Sequence, residues 1–224
     1  MSFDELSDRI GHRFERVELL ERALAHRSWC AENDGADSNE RLEFLGDAVL
    51  GWAIADIAFR RYGELSEGRL TDLRKSVVNA SALASIAEEI GLGPYLKLGR
   101  GEAAAGGAEK PSILSDAFEA VLGAVYLDGG PDAAFELVER RVASRLAPTI
   151  EGLAQLDWKT ELQERCARDG RPAPAYAITS TGPDHAKVFN ATVSVGGKDL
   201  GSGQGRSKKA AEQLAAEAAC SAFG

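Results

Sequence analysis

The stretch NERLEFLGDAVLG, residues 39–51, places two carboxylates in a segment otherwise rich in Leu, Phe, Val, Ala and Gly. Glu43 and Asp47 stand four positions apart, so they share one face of an α-helix. The apolar residues cover most of the remaining circumference, which predicts a helix buried on several sides. A lone carboxylate in such a setting costs on the order of several kcal/mol unless it is paired or bound to a metal. The two acids therefore need a partner elsewhere in the chain.

A second apolar segment repeats this pattern of paired acids. ILSDAFEAVLGAVYLD, residues 113–128, carries Asp116 and Glu119 three positions apart, again on one helical face. If the two helices pack together, four carboxylates converge. Oxygen ligands without nearby His or Cys suit a hard cation such as Mg²⁺ or Mn²⁺. A di-iron bundle also uses helical acids, but it requires Glu-x-x-His, which this sequence lacks.

A simpler interpretation of the acids stays open at this point. Asp and Glu on a helix often form a solvated face or one half of a salt bridge, and Arg41 or Arg74 could pair with some of them. Spacing alone does not decide between the metal site and the solvated face.

The composition is that of an ordinary globular protein, with 44% hydrophobic and 27% charged residues among 224. The net charge of −9 is uneven, because residues 1–154 carry −10 and residues 155–224 carry +1. Cys30, Cys166 and Cys220 show no CxxC spacing, which predicts neither a disulfide framework nor a zinc site. No apolar run is long enough to span a membrane, and the charged N-terminus lacks a signal-peptide core. We expect a cytoplasmic protein without a membrane partner or an organic cofactor.

Apolar spacings of three and four predict an all-helical first part. The expected helices cover residues 17–29, 40–62, 69–90, 112–127 and 132–146. Residues 99–110, GRGEAAAGGAEK, are rich in Gly and Ala and predict a mobile loop.

The character of the sequence changes after residue 149 and predicts a small α-β-β-β-α unit. A helix is expected over 157–170, strands over 175–181 and 187–195, a turn at Gly196-Gly197, a third strand from residue 198, and a helix over 207–223. The inward face of the second strand is expected to carry Phe189, Ala191, Val193 and Val195. The packing stripe of the last helix is expected to be Leu214, Ala215, Ala218 and Ala222.

The segment NERLEFLGDAVL resembles the signature segment of the ribonuclease III endonuclease domain. The resemblance extends to ERALAHRSW (21–29), YGELSEGRLTDLR (62–74) and SILSDAFEAVLGAVYLDGG (112–130). Residues 157–224 look like a double-stranded-RNA-binding domain. The resemblance covers nearly the whole chain in the family's bacterial order. It implies an all-α endonuclease domain over residues 1–150, a linker over 151–156, and a small α+β (α-β-β-β-α) double-stranded-RNA-binding domain over 157–224.

The same resemblance implies a Mg²⁺-dependent endoribonuclease that cuts double-stranded RNA, with Mn²⁺ as a substitute metal. Its products would carry 5′-phosphate and 3′-hydroxyl ends with short 3′ overhangs, and its substrates would include ribosomal-RNA precursors and other transcripts. The implied catalytic and metal-binding cluster is Glu43, Asp47, Asp116 and Glu119. Glu40 and Glu67 fall at positions that the family associates with further acids of the cleft.

Members of this family work as homodimers with one site per subunit across a shared cleft. Phe44, on the helix face away from the acids, is either an interface residue or a plain core aromatic. A function of a different class also stays open, namely a non-catalytic double-stranded-RNA-binding dimer that uses the acidic helices only as a scaffold.

Three surfaces of the second unit are expected to contact duplex RNA and to read its shape. The start of the last helix offers a phosphate clamp, the first helix offers polar side chains for a minor groove, and the loop 182–187 offers a histidine for a second groove. The residues concerned are Arg206, Ser207, Lys208 and Lys209, then Thr160, Gln163 and Glu164, and finally His185.

Overall fold

A computed structural model of the chain describes residues 2–146, 158–183 and 187–222. The chain divides into two units, Met1–Thr149 and Ile150–Gly224. The first is helical, and the second has a three-stranded sheet flanked by helices. The predicted fold class is therefore confirmed. The predicted linker, 151–156, lies outside the described residues.

Helices form the framework of the first unit. They are α1 (Phe3–Ile10), α2 (Val17–Ala23), α3 (Arg27–Cys30), α4 (Glu40–Arg61), α5 (Glu67–Val77), α6 (Ala80–Ile90), α7 (Arg100–Ala104) and α8 (Pro111–Arg141). Short 3₁₀ turns occupy Gly93–Tyr95, Gly107–Glu109 and Ala143–Arg145. Helix α8 contains a break at Gly130, whose φ of 80° and ψ of −174° are not helical, and Pro131 begins its second half.

The core of this unit is organised around the crossing of α4 and α8. Most of α8 between Ile113 and Val125 is buried. The two backbones meet at a pair of glycines. A Cβ on Gly46 would lie 1.8 Å from the carbonyl oxygen of Glu119, and a Cβ on Gly123 would lie 2.3 Å from the carbonyl oxygen of Leu42. The helices can approach this closely only because neither position carries a side chain.

Two predicted helices are each divided in the structure. The segment predicted as one helix over 69–90 is α5 and α6, because Asn79 starts a new helix by accepting a hydrogen bond from the Ala82 N–H (3.0 Å). The segment predicted over 17–29 is α2 and α3, and the His26 side chain caps α3 by accepting from the Ser28 N–H. Apolar periodicity continued across both breaks and therefore concealed them.

The prediction of a mobile loop over 99–110 is wrong. This stretch contains α7 and the 3₁₀ turn Gly107–Glu109. Its start is held by two hydrogen bonds, from the Gly99 N–H to Ser28 Oγ and from the Arg100 N–H to Glu32 Oε1, both 2.9 Å. Side chains distant in sequence therefore order a segment whose composition suggested a loop.

The second unit matches the predicted order of elements. It contains α9 (Trp158–Arg168), β1 (Ala175–Thr181), β2 (Val188–Val195), β3 (Lys198–Gly205) and α10 (Lys208–Ala222), and the antiparallel sheet has the order β1-β2-β3. Gly196 and Gly197 have φ values of 60° and 80°, as a type I′ hairpin requires. The expected inward face of β2 is confirmed, with Ala191, Val193 and Val195 buried and Phe189 packed against them.

The packing stripe predicted for the last helix is largely wrong. Leu214 is 45% exposed, and Ala218 and Ala222 are also exposed. The buried face consists of Ala211, Ala215, Ala216, Ala219 and Cys220. The reason lies in β3, where a Cβ on Gly203 would lie 2.4 Å from the Ala215 backbone nitrogen. A strand without side chains on this face brings the helix backbone close, and only the small-residue face of α10 fits.

None of the helices in the described parts of the chain combines the length and the apolar composition that crossing a bilayer requires.

The glycine contact between α4 and α8 predicts a large difference between two helical Gly→Ala substitutions. Gly46→Ala should lower the free energy of unfolding by about 3 kcal/mol or more, because the new methyl group meets backbone that cannot move aside. Gly68→Ala in α5, with nothing within 4 Å of its Cβ position, should stabilise the protein by up to about 1 kcal/mol. Urea unfolding of both variants measures the difference. Equal effects would contradict the proposed contact.

Candidate active site

Three carboxylates from the two crossing helices form one cluster. Glu43 on α4 and Asp116 and Glu119 on α8 each offer an oxygen, and these oxygens lie within 4.8 Å of one another. All three residues are half-buried. The cluster adjoins the glycine contact, since the Glu119 carbonyl faces Gly46. The helix crossing therefore brings together three of the four acids identified in the sequence.

Asp47 occupies a different position from the other three. It is exposed, and its carboxylate lies outside the 4.8 Å group. Its charge nevertheless acts on Glu119 more strongly than that of Glu43 or Asp116. Asp47 thus contributes to the field of the cluster from its solvent-exposed side.

Burial and mutual repulsion perturb the acids of the cluster. Burial, followed by the charges of Asp47, Glu43 and Asp116, raises the pKa of Glu119 to about 7. Burial, followed by the charges of Asp116 and Glu40, also raises the pKa of Glu43 above its ordinary value. Carboxylates held together at this energetic cost would be stabilised by a cation placed among them.

A cleft of about 740 Å³ opens beside the cluster. Glu43 and Asp116 line it, so two of the three clustered acids are accessible from the cleft. Glu40 also lines it and accepts a hydrogen bond from Ser38 Oγ (2.8 Å). Glu67, in contrast, is exposed at the start of α5, where it accepts from Thr71 Oγ1 (3.1 Å), and it is not among the residues that line this cleft.

The cleft also contains ionisable residues that the sequence patterns did not reveal. They are His26, Arg27, Glu102 and Lys110. His26 and Arg27 belong to the segment ERALAHRSW, which resembles the family, so their position was a usable signal. Glu102 and Lys110 belong to the stretch interpreted as a loop, and no local pattern distinguishes them.

Phe44 is 81% exposed and is therefore not a core residue of its own unit. Trp52 and Phe59 follow it at spacings of eight and seven residues, and they are 47% and 72% exposed. These spacings place the three aromatic side chains on one face of α4. The helix that carries Glu43 thus presents an apolar stripe to its surroundings.

The sequence-predicted RNA-binding residues that the structure describes lie at the start of α10 and along α9. Arg206, Ser207, Lys208 and Lys209 are exposed, and Ser207 Oγ accepts from the Ala210 N–H (3.1 Å), as an N-cap does. On α9, Gln163 is exposed, while Thr160 and Glu164 are half-buried. His185 lies outside the described residues.

Comparison with known proteins gives concordant results for both units. A family model described as ribonuclease-III-like matches residues 16–146, and a model of the double-stranded RNA binding motif matches residues 158–222. Ribonuclease 3 of Thermobifida fusca is 54% identical over 206 residues, covering 92% of this chain and 86% of the relative. Ribonuclease 3 of Streptomyces coelicolor is 52% identical over 214 residues, covering 96% of this chain and 77% of the relative.

Solved structures agree with the sequence relatives. The nuclease domain of ribonuclease III from Campylobacter jejuni, described for flexibility in a region involved in dimer formation, is 37% identical with a TM-score of 0.60. The match covers 64% of this chain and 97% of that domain. Two matched family models in the expected order, relatives above half identity along most of the chain, and a cluster of acids at the helix crossing lead to one conclusion. The chain belongs to the ribonuclease III family.

Proposed function

We propose that this protein hydrolyses phosphodiester bonds of double-stranded RNA with Mg²⁺ held by Glu43, Asp47, Asp116 and Glu119. The observation that carries the proposal is the convergence of acids from α4 and α8 beside an open cleft. Membership of the ribonuclease III family supports a double-strand-specific endoribonuclease, and the double-stranded RNA binding motif supplies the means of holding its substrate. The products would be 5′-phosphate and 3′-hydroxyl ends with short 3′ overhangs.

The donor set of the cluster suits a hard divalent cation. Its members are carboxylates, and the half-buried oxygens repel one another without a positive charge between them. Mg²⁺ prefers such ligands, and Mn²⁺ accepts them as well. A bound Mg²⁺ would stabilise the charge of the transition state as a Lewis acid and lower the pKa of a bound water, which makes that water a source of hydroxide.

The residues of the cluster have separable roles in this proposal. Glu43, Asp116 and Glu119 provide the oxygens nearest to one another, and Asp47 adds negative charge beside Glu119. Glu40 borders the same cleft, whereas Glu67 is not among the residues that line it, and we propose for both only a supporting electrostatic part. Ribosomal-RNA precursors and other transcripts in the cytoplasm are the proposed substrates.

We propose that the protein acts as a homodimer that joins through the apolar stripe of α4. Phe44 is the most exposed aromatic residue of this stripe, and contact with a second copy would remove its surface from water. Each subunit would contribute one acid cluster to a shared cleft.

Duplex binding is assigned to the second unit. Arg206, Ser207, Lys208 and Lys209 would contact phosphates at the start of α10, where free backbone N–H groups add to their charge. The side chains proposed for minor-groove contacts are Thr160, Gln163, Glu164 and His185.

Glu119→Gln should reduce Mg²⁺-dependent cleavage of a long RNA duplex by roughly 100-fold or more, because it removes a metal-binding charge. Duplex binding should stay within about two-fold, since phosphate contacts of the second unit carry it. Glu136→Gln, an exposed acid on the same helix, is the control and should leave both unchanged. Gel assays with Mg²⁺ and then EDTA measure cleavage.

Duplex binding without Mg²⁺-dependent cleavage by the unsubstituted protein would instead support the non-catalytic dimer.

The raised pKa of Glu119 predicts a pH dependence of stability in EDTA. The pKa of Glu119 is about 7 in the folded protein against an ordinary value of 4.5, so between these two pH values the folded protein holds a proton that the unfolded chain has lost. The melting temperature should therefore fall as the pH rises from about 4.5 to about 7 and level off above that range. Mg²⁺ should raise the melting temperature more at pH 8 than at pH 6, because the cation binds the deprotonated carboxylates.

Glu119→Gln and Glu136→Gln again form the matched pair for this measurement. Since other groups also titrate, the informative quantity is the difference between the two variants. Glu119→Gln should reduce the fall of the melting temperature with rising pH, while Glu136→Gln should leave that fall unchanged. Identical profiles would show that Glu119 is not the group responsible.

Replacing Lys208 and Lys209 together by Gln should weaken duplex binding. It should also reduce the magnitude of the slope of log affinity against log salt concentration by about two, one for each lost phosphate contact. Lys198→Gln, an exposed lysine at the hairpin of the same unit, is the control and should leave the slope unchanged. Fluorescence anisotropy at several salt concentrations measures both. An unaltered slope in the double variant would remove this helix terminus from the binding surface.

A further inference from the structure

The cleft beside the acid cluster contains an ion pair between two residues that are not members of that cluster. Lys110 Nζ lies 2.5 Å from Glu102 Oε1, and the two side chains are 43% and 24% exposed. Both residues line the cleft together with Glu43 and Asp116. Lys110 immediately precedes α8, the helix that carries two of the clustered acids. A cation therefore lies in the same cleft as a group of carboxylates.

A second cation occupies the same cleft. Arg27, at the start of α3, is exposed and lines the cleft together with Glu43 and Glu102. An acid cluster alone would repel a polyanion, so a nuclease of this kind needs positive charge near the scissile phosphate. Within the described residues, Arg27 and Lys110 are the lysine and arginine side chains that line this cleft.

Glu102 is held by its surroundings more firmly than Lys110 is. It lies in α7, whose start is fixed by the hydrogen bond from the Gly99 N–H to Ser28 Oγ (2.9 Å). Gly107 faces it closely, because a Cβ there would lie 2.8 Å from Glu102 Cγ. The lysine has a flexible stem and the larger exposed fraction. An ion pair exposed to this degree adds little to the stability of the protein. Lys110 can therefore leave Glu102 for another anion at little cost in free energy.

We propose that Lys110 binds a phosphate of the scissile strand, leaving Glu102 when RNA enters the cleft, and that Arg27 contacts a phosphate in the same cleft. This inference rests on the proposed function and identifies the groups that hold the substrate beside the metal. Glu102 keeps the ammonium group at the cleft while RNA is absent. Lys110 is thus a substrate-positioning residue, in addition to the phosphate contacts of the second unit.

The test compares Lys110→Gln, Lys110→Arg and Glu102→Gln in cleavage of an RNA duplex longer than roughly 16 base pairs, with Mg²⁺. Lys110→Gln should raise KM roughly ten-fold and change kcat by less than about three-fold, because a phosphate contact is present in both the bound substrate and the transition state. Lys110→Arg should restore KM. Glu102→Gln should leave KM equal or lower, because it releases the lysine from its carboxylate partner.

A salt titration supplies a second readout that a structural role would not change. In the Glu119→Gln background, Lys110→Gln should flatten the plot of log affinity against log salt by about one, and adding Arg27→Gln should flatten it further. Lys97→Gln is the matched control, because Lys97 also pairs with a carboxylate, Glu21 at 3.5 Å, but does not line the cleft.

Two results would overturn the inference. Unchanged KM and salt slope in Lys110→Gln would remove the phosphate contact. Equal damage from Lys110→Gln and Glu102→Gln would show that the pair only supports the fold. If the unsubstituted protein failed to cut the duplex with Mg²⁺, both the proposed function and this inference would fail. If the unsubstituted protein cut normally and Lys110→Gln had no effect, only this inference would be overturned.

Discussion

The contact between Gly46 on α4 and Gly123 on α8 is the constraint on which the first unit depends. A side chain at either position would meet backbone atoms at 1.8 to 2.3 Å, so the distance between the helices is set by the absence of two methyl groups. That distance places acids from both helices within 4.8 Å of one another. Packing and chemistry are therefore determined at the same point, and the burial and the repulsion that raise the pKa of Glu119 both follow from the fold.

Sequence patterns were sufficient for the acids and for most elements. Glu43, Asp116 and Glu119 were conspicuous because each is a carboxylate in an apolar helix, and burial makes such a residue informative. Helix breaks at His26 and Asn79 were missed because side-chain N-caps start new helices inside a continuous apolar pattern. Lys110 and Glu102 were missed for a different reason, since their importance arises from a cleft assembled by residues far apart in sequence.

The second unit shows how strand glycines can determine the packing of a helix. Apolar spacing favoured Leu214 as a core residue, yet a bulky side chain cannot enter where a helix lies against bare strand backbone. Gly201, Gly203 and Gly205 present that backbone to α10, and Ala211, Ala215 and Ala219 fit against it. The prediction considered the helix alone, whereas its buried face was selected by the strand. Alternating glycines in β3 were the available signal.

Glu119 takes part in two contacts at once, since its carbonyl oxygen faces Gly46 and its carboxylate belongs to the acid cluster. A methyl group at position 46 that the fold survived would displace this residue without altering its identity. The geometry of the acid cluster thus depends on a glycine that is not itself an acid. In comparing relatives, the two glycines are therefore as informative about activity as the carboxylates, and an intact set of acids is insufficient to infer a working enzyme.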